Sequence, residues 1–203
     1  MKDEMDILRE VGSISAGHRS IALSEILGRK IELEMPSLDI ISAQEVLAKM
    51  PTDQIVISVS STILSGLKGS VLFILDEKSA FKLIDICYRT HSDDKKNSLF
   101  TEMGLSVIKE IGNVIISSYV GAMSMILKTI IIPSIPTLVS GSIEQALHMA
   151  VAAHAHDEYI LLAEAVFLEP GEKINGSFYL VLNGEAMNYI QIACKKLLES
   201  LKE

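Results

Sequence analysis

The sequence predicts an α+β protein whose two halves are related by a pseudo-two-fold axis. The segment ILREVGSISAGH at Ile7–His18 returns as VIKEIGNVIISS at Val107–Ser118, 100 residues later. Pro36 and Pro136 are separated by the same interval. Each half also has the same order of helix-forming and strand-forming segments. A duplicated unit of about 100 residues, too long for a solenoid repeat, explains all three observations.

Six elements are predicted in the first half. The opening segment has helical apolar spacing, and Gly28 is a natural helix stop. Segments rich in Ile and Val predict strands, and Gly66 separates two of them into a hairpin. Ser42 followed by Glu45 is typical of a capping box. In order, we expect helix 5–27, strand 30–35, helix 42–50, strand 54–64, strand 67–75 and helix 76–88.

The second half repeats this order after the polar segment RTHSDDKKNS at 89–98, which is the best linker candidate. Ser142 is a candidate N-cap, and the turn EPGE at 169–172 reverses the chain. We expect helix 99–127, extended chain 129–139, helix 142–154, strand 158–168, strand 174–182 and helix 184–201. The prediction is a single domain over the whole chain, with repeats of about 1–96 and 97–203 and a mainly antiparallel sheet packed by helices.

The composition argues against several functional classes. The formal net charge is −8 without a Lys/Arg cluster, so a nucleic acid is not an expected partner, because such binding depends on neutralising phosphates. Cys87 and Cys194 lie in apolar segments and are expected to be buried thiols in a reducing cytoplasm. Ile111–Leu127 has no charged residue over 17 positions, but its Asn and Ser residues favour a buried helix over a membrane span.

A polar stripe follows the repeated helix. At about 100° per residue, Ser106, Glu110, Asn113 and Ser117 fall within about 60° of one another. Lys109 is the other charged residue between 104 and 127, so the rest of the helix should be buried. A solvated face is the simplest alternative, but solvated faces usually carry several Lys and Glu residues. The first copy of the stripe consists of Asp6, Glu10, Ser13 and Gly17.

Only a narrow chemistry is open to Glu110 and Asn113. They supply one anion, one amide donor and one amide acceptor, with no nucleophile, histidine or metal cluster beside them in the sequence. An amide can donate to a phosphoryl group and accept from a water, so it can hold that water in line for attack. A carboxylate can pair with a lysine. A helix with these groups would need another protein to bring the phosphate and the metal.

This pattern resembles the CheC, CheX and FliY family of chemotaxis phosphatases. The family motif is Asp or Ser, three residues, Glu, two residues, Asn, twenty-two residues, Pro. The second copy matches it at every position, through Ser106, Glu110, Asn113 and Pro136. The first copy matches at Asp6, Glu10 and Pro36. It departs from the motif at Ser13. Two motif copies in one chain are most similar to the CheC branch of the family.

The resemblance implies a function, partners and roles for the motif residues. The substrate would be the aspartyl-phosphate of a CheY-type receiver, at whose active site the stripe would dock. Glu110 would pair with the receiver's phosphate-site lysine, and Asn113 would place the attacking water. No cofactor of the chain's own is implied, because the Mg²⁺ belongs to the receiver. CheD, a receptor deamidase, is a further candidate partner. We expect a monomer, since the two halves can complete each other's sheet.

The site in the first copy is expected to be degenerate. The Ser13 hydroxyl is shorter than an Asn amide and offers one donor where the amide offers two. Two alternatives to a phosphatase stay open. One is a non-catalytic adaptor of the same fold, like the middle domain of FliM, a class that lacks the Glu/Asn pair. The other is a binding module that only controls CheD.

Three further signals carry little weight. The segment 12–19 is glycine-containing, but it lacks the Lys and Ser/Thr of a phosphate-binding loop. Met123 and Met125 lie in an apolar helix and are expected to fill the core. A set of acidic and His residues has no standard zinc spacing, so no metal site is predicted there. That set is His148, His154, His156, Asp157 and Glu158.

Overall fold

The computed structural model describes residues 6, 7, 9, 20–34, 37–42, 45, 54–91, 101–151, 158–169 and 172–200. They form helices and an antiparallel sheet, which confirms the predicted α+β class. The helices are α1 (20–27), α2 (Glu77–His91), α3 (Glu102–Leu127), α4 (Ile143–Val151) and α5 (Gly184–Ser200). The strands are β1 (Glu32–Glu34), β2 (Leu38–Ser42), β3 (Ile55–Ser65), β4 (Gly69–Asp76), β5 (Ile132–Pro133), β6 (Thr137–Ser142), β7 (Glu158–Glu169) and β8 (Glu172–Asn183).

The two halves of the chain exchange their short strands. The order along the sheet is β1-β7-β8-β4-β3-β5, with β2 also paired to β7 and β6 also paired to β3. The first half therefore supplies β1 and β2 to the long strand of the second half. The second half supplies β5 and β6 to the long strand of the first. Each half completes the sheet edge of the other.

Two apolar cores lie on opposite faces of this sheet. In β4, Val71, Phe73 and Leu75 contribute to the larger core, whereas Leu72 and Ile74 contribute to the smaller one. This alternation follows from the strand geometry, in which successive side chains point to opposite faces. Helices α1, α2, α3 and α5 cover the larger core, and α4 covers the smaller core. Helices α3 and α4 therefore lie on opposite sides of the sheet.

Helix α3 lies between α2 and α5 and crosses β3 and β4. The Thr101 hydroxyl caps its first turn by accepting from the backbone N–H of Gly104 at 3.1 Å. Lys128 ends it in the left-handed conformation, with φ of 49°. By length and composition this helix could cross a membrane, but 56% of its most apolar window is buried inside the fold. Its apolar side is in contact with the sheet, as expected for a core helix.

Gly112 allows α3 to approach the sheet closely. A Cβ at this position would lie 2.6–2.7 Å from three side-chain carbons of Val59 in β3. Gly121, on the same helix, is different, because a Cβ there would meet nothing within 4 Å. The two glycines therefore form a matched pair for a test of this packing.

Gly112→Ala should lower the free energy of unfolding by about 1–3 kcal/mol, because the added methyl overpacks the helix against Val59. Gly121→Ala should raise it by up to about 1 kcal/mol, since Ala is the better helix former and space is open. Urea unfolding of both variants measures the two changes. A stabilised Gly112→Ala variant would contradict the close contact of α3 with β3.

Several local contacts recur at an interval of 100 residues. The backbone N–H of Ile31 donates to the Ser24 hydroxyl at 2.9 Å, and that of Ile131 donates to the Ser124 hydroxyl at 3.2 Å. In both places the hydroxyl ties the end of a helix to the next extended segment. The duplication itself stays a prediction. Equivalent hydrogen bonds at equivalent positions are what a duplicated unit would be expected to form.

The predicted capping box at Ser42 forms, and the predicted N-cap Ser142 forms a second one. The backbone N–H of Glu45 donates to the Ser42 hydroxyl at 3.2 Å, and the Ser42 N–H donates to the Glu45 carboxylate at 2.9 Å. Ser142 and Gln145 make the same reciprocal pair, with both distances at 3.1 Å. The serine in each box is also the last residue of a strand, β2 or β6.

The structure adds to or shifts the predicted elements in three places. Strand β2 was not expected, and it forms because the edge of β7 pairs with it, from Leu38 opposite Ala163 to Ser42 opposite Tyr159. The extended segment 129–139 is divided into β5 and β6. Helix α2 continues to His91, through the first three residues of the predicted linker. Residues 92–100 lie outside the described part of the chain.

Candidate functional site

The structure places the four predicted stripe residues in a line along one face of α3. Ser106 and Glu110 are exposed, whereas Asn113 and Ser117 are half-buried. Asn113 is therefore less accessible than a fully solvated stripe would make it. The opposite side of the helix is buried in the larger core, through Ile108, Ile111 and Ile115. The helical period thus divides α3 into a packed side and a polar side that is available to a partner.

The Glu110 carboxylate is available for an external contact. Its side chain is exposed, and within the described part of the chain no residue forms an ion pair or a hydrogen bond with it. Lys109 is also exposed, but the helix directs it about 100° away from Glu110. A cation brought by another molecule would therefore find an uncompensated anion on this face.

The Asn113 amide is held at its oxygen end. The Ser117 hydroxyl, one turn later on α3, donates to Asn113 Oδ1 at 3.4 Å. A carbonyl oxygen has two lone pairs, so with respect to the described residues one lone pair and both N–H groups of the amide stay available. The Ser106 hydroxyl takes no part in this contact, because it donates to the backbone carbonyl of Glu102 at 2.8 Å.

Behind the stripe, α3 is anchored by Tyr119. Its ring contacts that of Phe178 in β8, with centroids 4.5 Å apart, and only 2% of the residue is exposed. Within the described part of the chain, its hydroxyl and that of Ser118 are buried without a hydrogen-bond partner. Burial, and then the charge of the nearby Cys194, raise the pKa of Tyr119 far above its usual value, so the phenol stays neutral. Neither hydroxyl is accessible for chemistry at the stripe.

The remaining motif positions are only partly described. Pro136 is half-buried and directly precedes β6. Asp6 is exposed, and its carboxylate accepts from Arg9 Nη1 at 3.0 Å. The other predicted residues of the first copy, Glu10, Ser13, Gly17 and Pro36, lie outside the described residues.

The structure also shows where the predicted histidine, cysteine and methionine residues lie. His148 is exposed on α4, and the other histidines of the acidic and His set lie outside the described residues. Both cysteines are buried free thiols, as predicted, and burial raises the pKa of Cys87. Met123 is 2% exposed and fills the core, but Met125 is 75% exposed, so its predicted core role was wrong.

Comparisons with known proteins bear on the same helix. A model of the CheC-like family matches residues 103–140, the range that contains Ser106, Glu110, Asn113 and Pro136. The CheY-P phosphatase CheC of Bacillus subtilis is 32% identical over 136 residues, which are 66% of this chain and 65% of that protein. The flagellar motor switch phosphatase FliY of the same organism is 29% identical over 61% of this chain and 32% of its own length. The matched part is therefore less than two thirds of either relative.

Solved structures share the fold over nearly the whole chain. Thermotoga maritima FliY superposes with a TM-score of 0.75 and 21% identity, covering 97% of this chain and 98% of that one. The middle domain of FliM from H. pylori has a TM-score of 0.67 and 15% identity, covering 95% and 99%. These likenesses show the fold alone. Together, the family match and the identity to CheC confirm the resemblance to the CheC-like family that the motif predicted.

Proposed function

We propose that this protein hydrolyses the aspartyl-phosphate of a CheY-type response regulator in chemotaxis signalling. The observation that carries the proposal is the Glu110–Asn113 pair, in which the carboxylate has no ion-pair partner among the described residues and the amide is held by Ser117. The pair lies in the segment that matches the CheC-like family. The two curated relatives are named as phosphatases, and one of them acts on phosphorylated CheY.

The geometry supports a mechanism in which α3 positions the attacking water over the receiver's active site and supplies no nucleophile of its own. Glu110 pairs with the receiver's lysine and fixes the helix over the receiver's active site. The Asn113 amide accepts from a water and aligns it with the phosphorus. As the water oxygen bonds to phosphorus, the bond to the aspartyl oxygen breaks, and the water's proton passes to the released phosphate. The magnesium that neutralises the phosphoryl charge is the receiver's own.

The test of this function is the release of phosphate from a labelled receiver, measured with and without the protein. Acceleration above the receiver's own rate supports the phosphatase. Binding without acceleration would favour the non-catalytic adaptor. The FliM likeness does not decide between them, because it concerns the fold alone. The Glu110–Asn113 pair favours the phosphatase, since the motif of that class depends on it.

Glu110→Lys should weaken receiver binding more than Glu110→Gln does. Both variants lose the ion pair, but the lysine adds repulsion against the receiver's cation. Titration of a receiver held in its phosphorylated-like form measures both affinities.

A matched control for Glu110→Lys is Glu144→Lys, which makes the same charge change at an exposed residue of α4, across the sheet. This control should bind like the wild type. Equal affinities for Glu110→Lys and Glu110→Gln would mean that the carboxylate is not at the interface.

We also propose a cytoplasmic monomer with CheD as a possible second partner. The exchange of short strands supports the monomer, because each half already covers the sheet edge of the other. Two buried free thiols support a reducing compartment. CheD stays an expectation that follows from the family resemblance.

A further inference from the structure

We propose that Ser117 is a positioning residue that fixes the orientation of the Asn113 amide for catalysis. The inference rests on the proposed phosphatase function and extends it to a residue outside the family motif. Its basis is the hydrogen bond from Ser117 Oγ to Asn113 Oδ1, at 3.4 Å between residues one helical turn apart. Both side chains are half-buried on the polar face of α3.

An Asn side chain needs such a partner because its two ends have opposite chemistry. Rotation about χ2 of Asn is broad and roughly two-fold, so an unrestrained amide exchanges its oxygen and its nitrogen. Donation from Ser117 holds the oxygen on one side. The second lone pair of that oxygen then accepts from the attacking water, and the N–H groups point towards the phosphoryl oxygens. As long as the Ser117 hydroxyl donates in this way, it holds the amide in the productive orientation before the receiver docks.

Neighbouring hydroxyls on α3 do not take this role. Ser106 donates to the backbone of its own helix, and the buried Ser118 hydroxyl has no hydrogen-bond partner among the residues that the structure describes. The sequence of the first copy is consistent with an amide and a hydroxyl that act together. It has Ser13 at the position of Asn113 and Gly17 at the position of Ser117. The copy that lacks the amide also lacks the hydroxyl that would orient it.

The test compares Ser117→Ala, Ser117→Thr and Ser118→Ala in the dephosphorylation assay. A single hydrogen bond of this kind contributes a net 0.5–1.5 kcal/mol, which corresponds to about a two- to tenfold change in rate. Ser117→Ala should lower kcat by that factor with little change in KM, because the lost hydrogen bond orients an amide that acts on the attacking water in the transition state. Ser117→Thr keeps the hydroxyl and should restore most of the rate.

Ser118→Ala is the matched control. It removes a hydroxyl from the adjacent residue, and that hydroxyl is buried and forms no hydrogen bond with any described residue. It should keep the wild-type rate. Because Ala is a better helix former than Ser, which offsets part of the hydrogen bond lost in Ser117→Ala, both alanine variants should stay folded in the assay, which thermal unfolding can verify.

Each outcome decides the proposal. A wild-type kcat in Ser117→Ala, together with an inactive Asn113→Ala, would overturn the role of Ser117 and leave the phosphatase function in place. A similar loss in Ser117→Thr and Ser117→Ala would also overturn it, because the effect would then not depend on the hydroxyl. A wild-type protein that does not accelerate dephosphorylation would overturn the proposed function itself, and the role of Ser117 with it.

Discussion

Asn113→Ala is expected to reduce dephosphorylation of the receiver almost to the receiver's own rate. Loss of an amide that positions water in a phosphoryl transfer should raise the barrier by about 2–4 kcal/mol, or about 30- to 1,000-fold in rate. No other side chain of the stripe can replace it. Ser106 is bonded to the helix backbone, and Ser117 has a shorter side chain one turn away.

The fold should survive this substitution. The Asn113 side chain is half-buried, and its hydrogen bond with Ser117 is its one contact of this kind among the described residues. Alanine is also the better helix former. The variant should therefore unfold at or above the wild-type temperature while its rate falls. A folded Asn113→Ala protein that keeps more than half of the wild-type rate would remove Asn113 from the mechanism.

The polar stripe was predictable because the helical period alone determines which residues share a face. Which residues on either side of the stripe are buried was not predictable. Met123 and Met125 lie about 100° to either side of Ser106 on an ideal helix, so they are equivalent by periodicity. One is 2% exposed and the other 75%, because burial depends on what packs beside α3. The contact between Ser117 and Asn113 also depends on rotamers that the spacing does not determine.

Strand β2 was missed for a related reason. Its residues are paired with β7, more than 100 residues later in the chain, so local patterns could not indicate a partner. By contrast, the long strands were predicted well, because both faces of β4 and β8 are buried and the sequence of each strand is therefore a nearly continuous apolar run. Sequence patterns thus identified the elements with strong local signals and missed those formed by distant edges.

The register of the central strands supports the predicted duplication. The segments SVLFILD at 70–76 and SFYLVLN at 177–183 correspond at an interval of 107 residues. Leu72 and Tyr179 occupy equivalent positions in them, and these two residues are paired with each other between β4 and β8. A pair of equivalent residues facing each other in an antiparallel register is what a local two-fold axis requires.

If the two halves are equivalent in this way, the first site should be recoverable by substitution. Ser13→Asn restores an amide at the position that corresponds to Asn113, three residues after Glu10 as Asn113 follows Glu110. In the Asn113→Ala background, Ser13→Asn should recover most of the lost rate. In the wild-type background it should raise the rate up to about twofold, provided that the sites act independently. Ser13→Ala should change little.

The role of Ser117 adds a second step to this experiment. Gly17 has no hydroxyl to orient an amide at position 13, so Gly17→Ser should increase the recovered rate further, by the factor lost in Ser117→Ala. The decisive measurement is dephosphorylation by a folded protein that carries Asn113→Ala, Ser13→Asn and Gly17→Ser. No recovery in that protein would mean that the first copy has lost more than its amide and hydroxyl. A large loss in Ser13→Ala alone would instead show that the first copy is active as it stands, and that the hydroxyl performs there what the amide performs in the second.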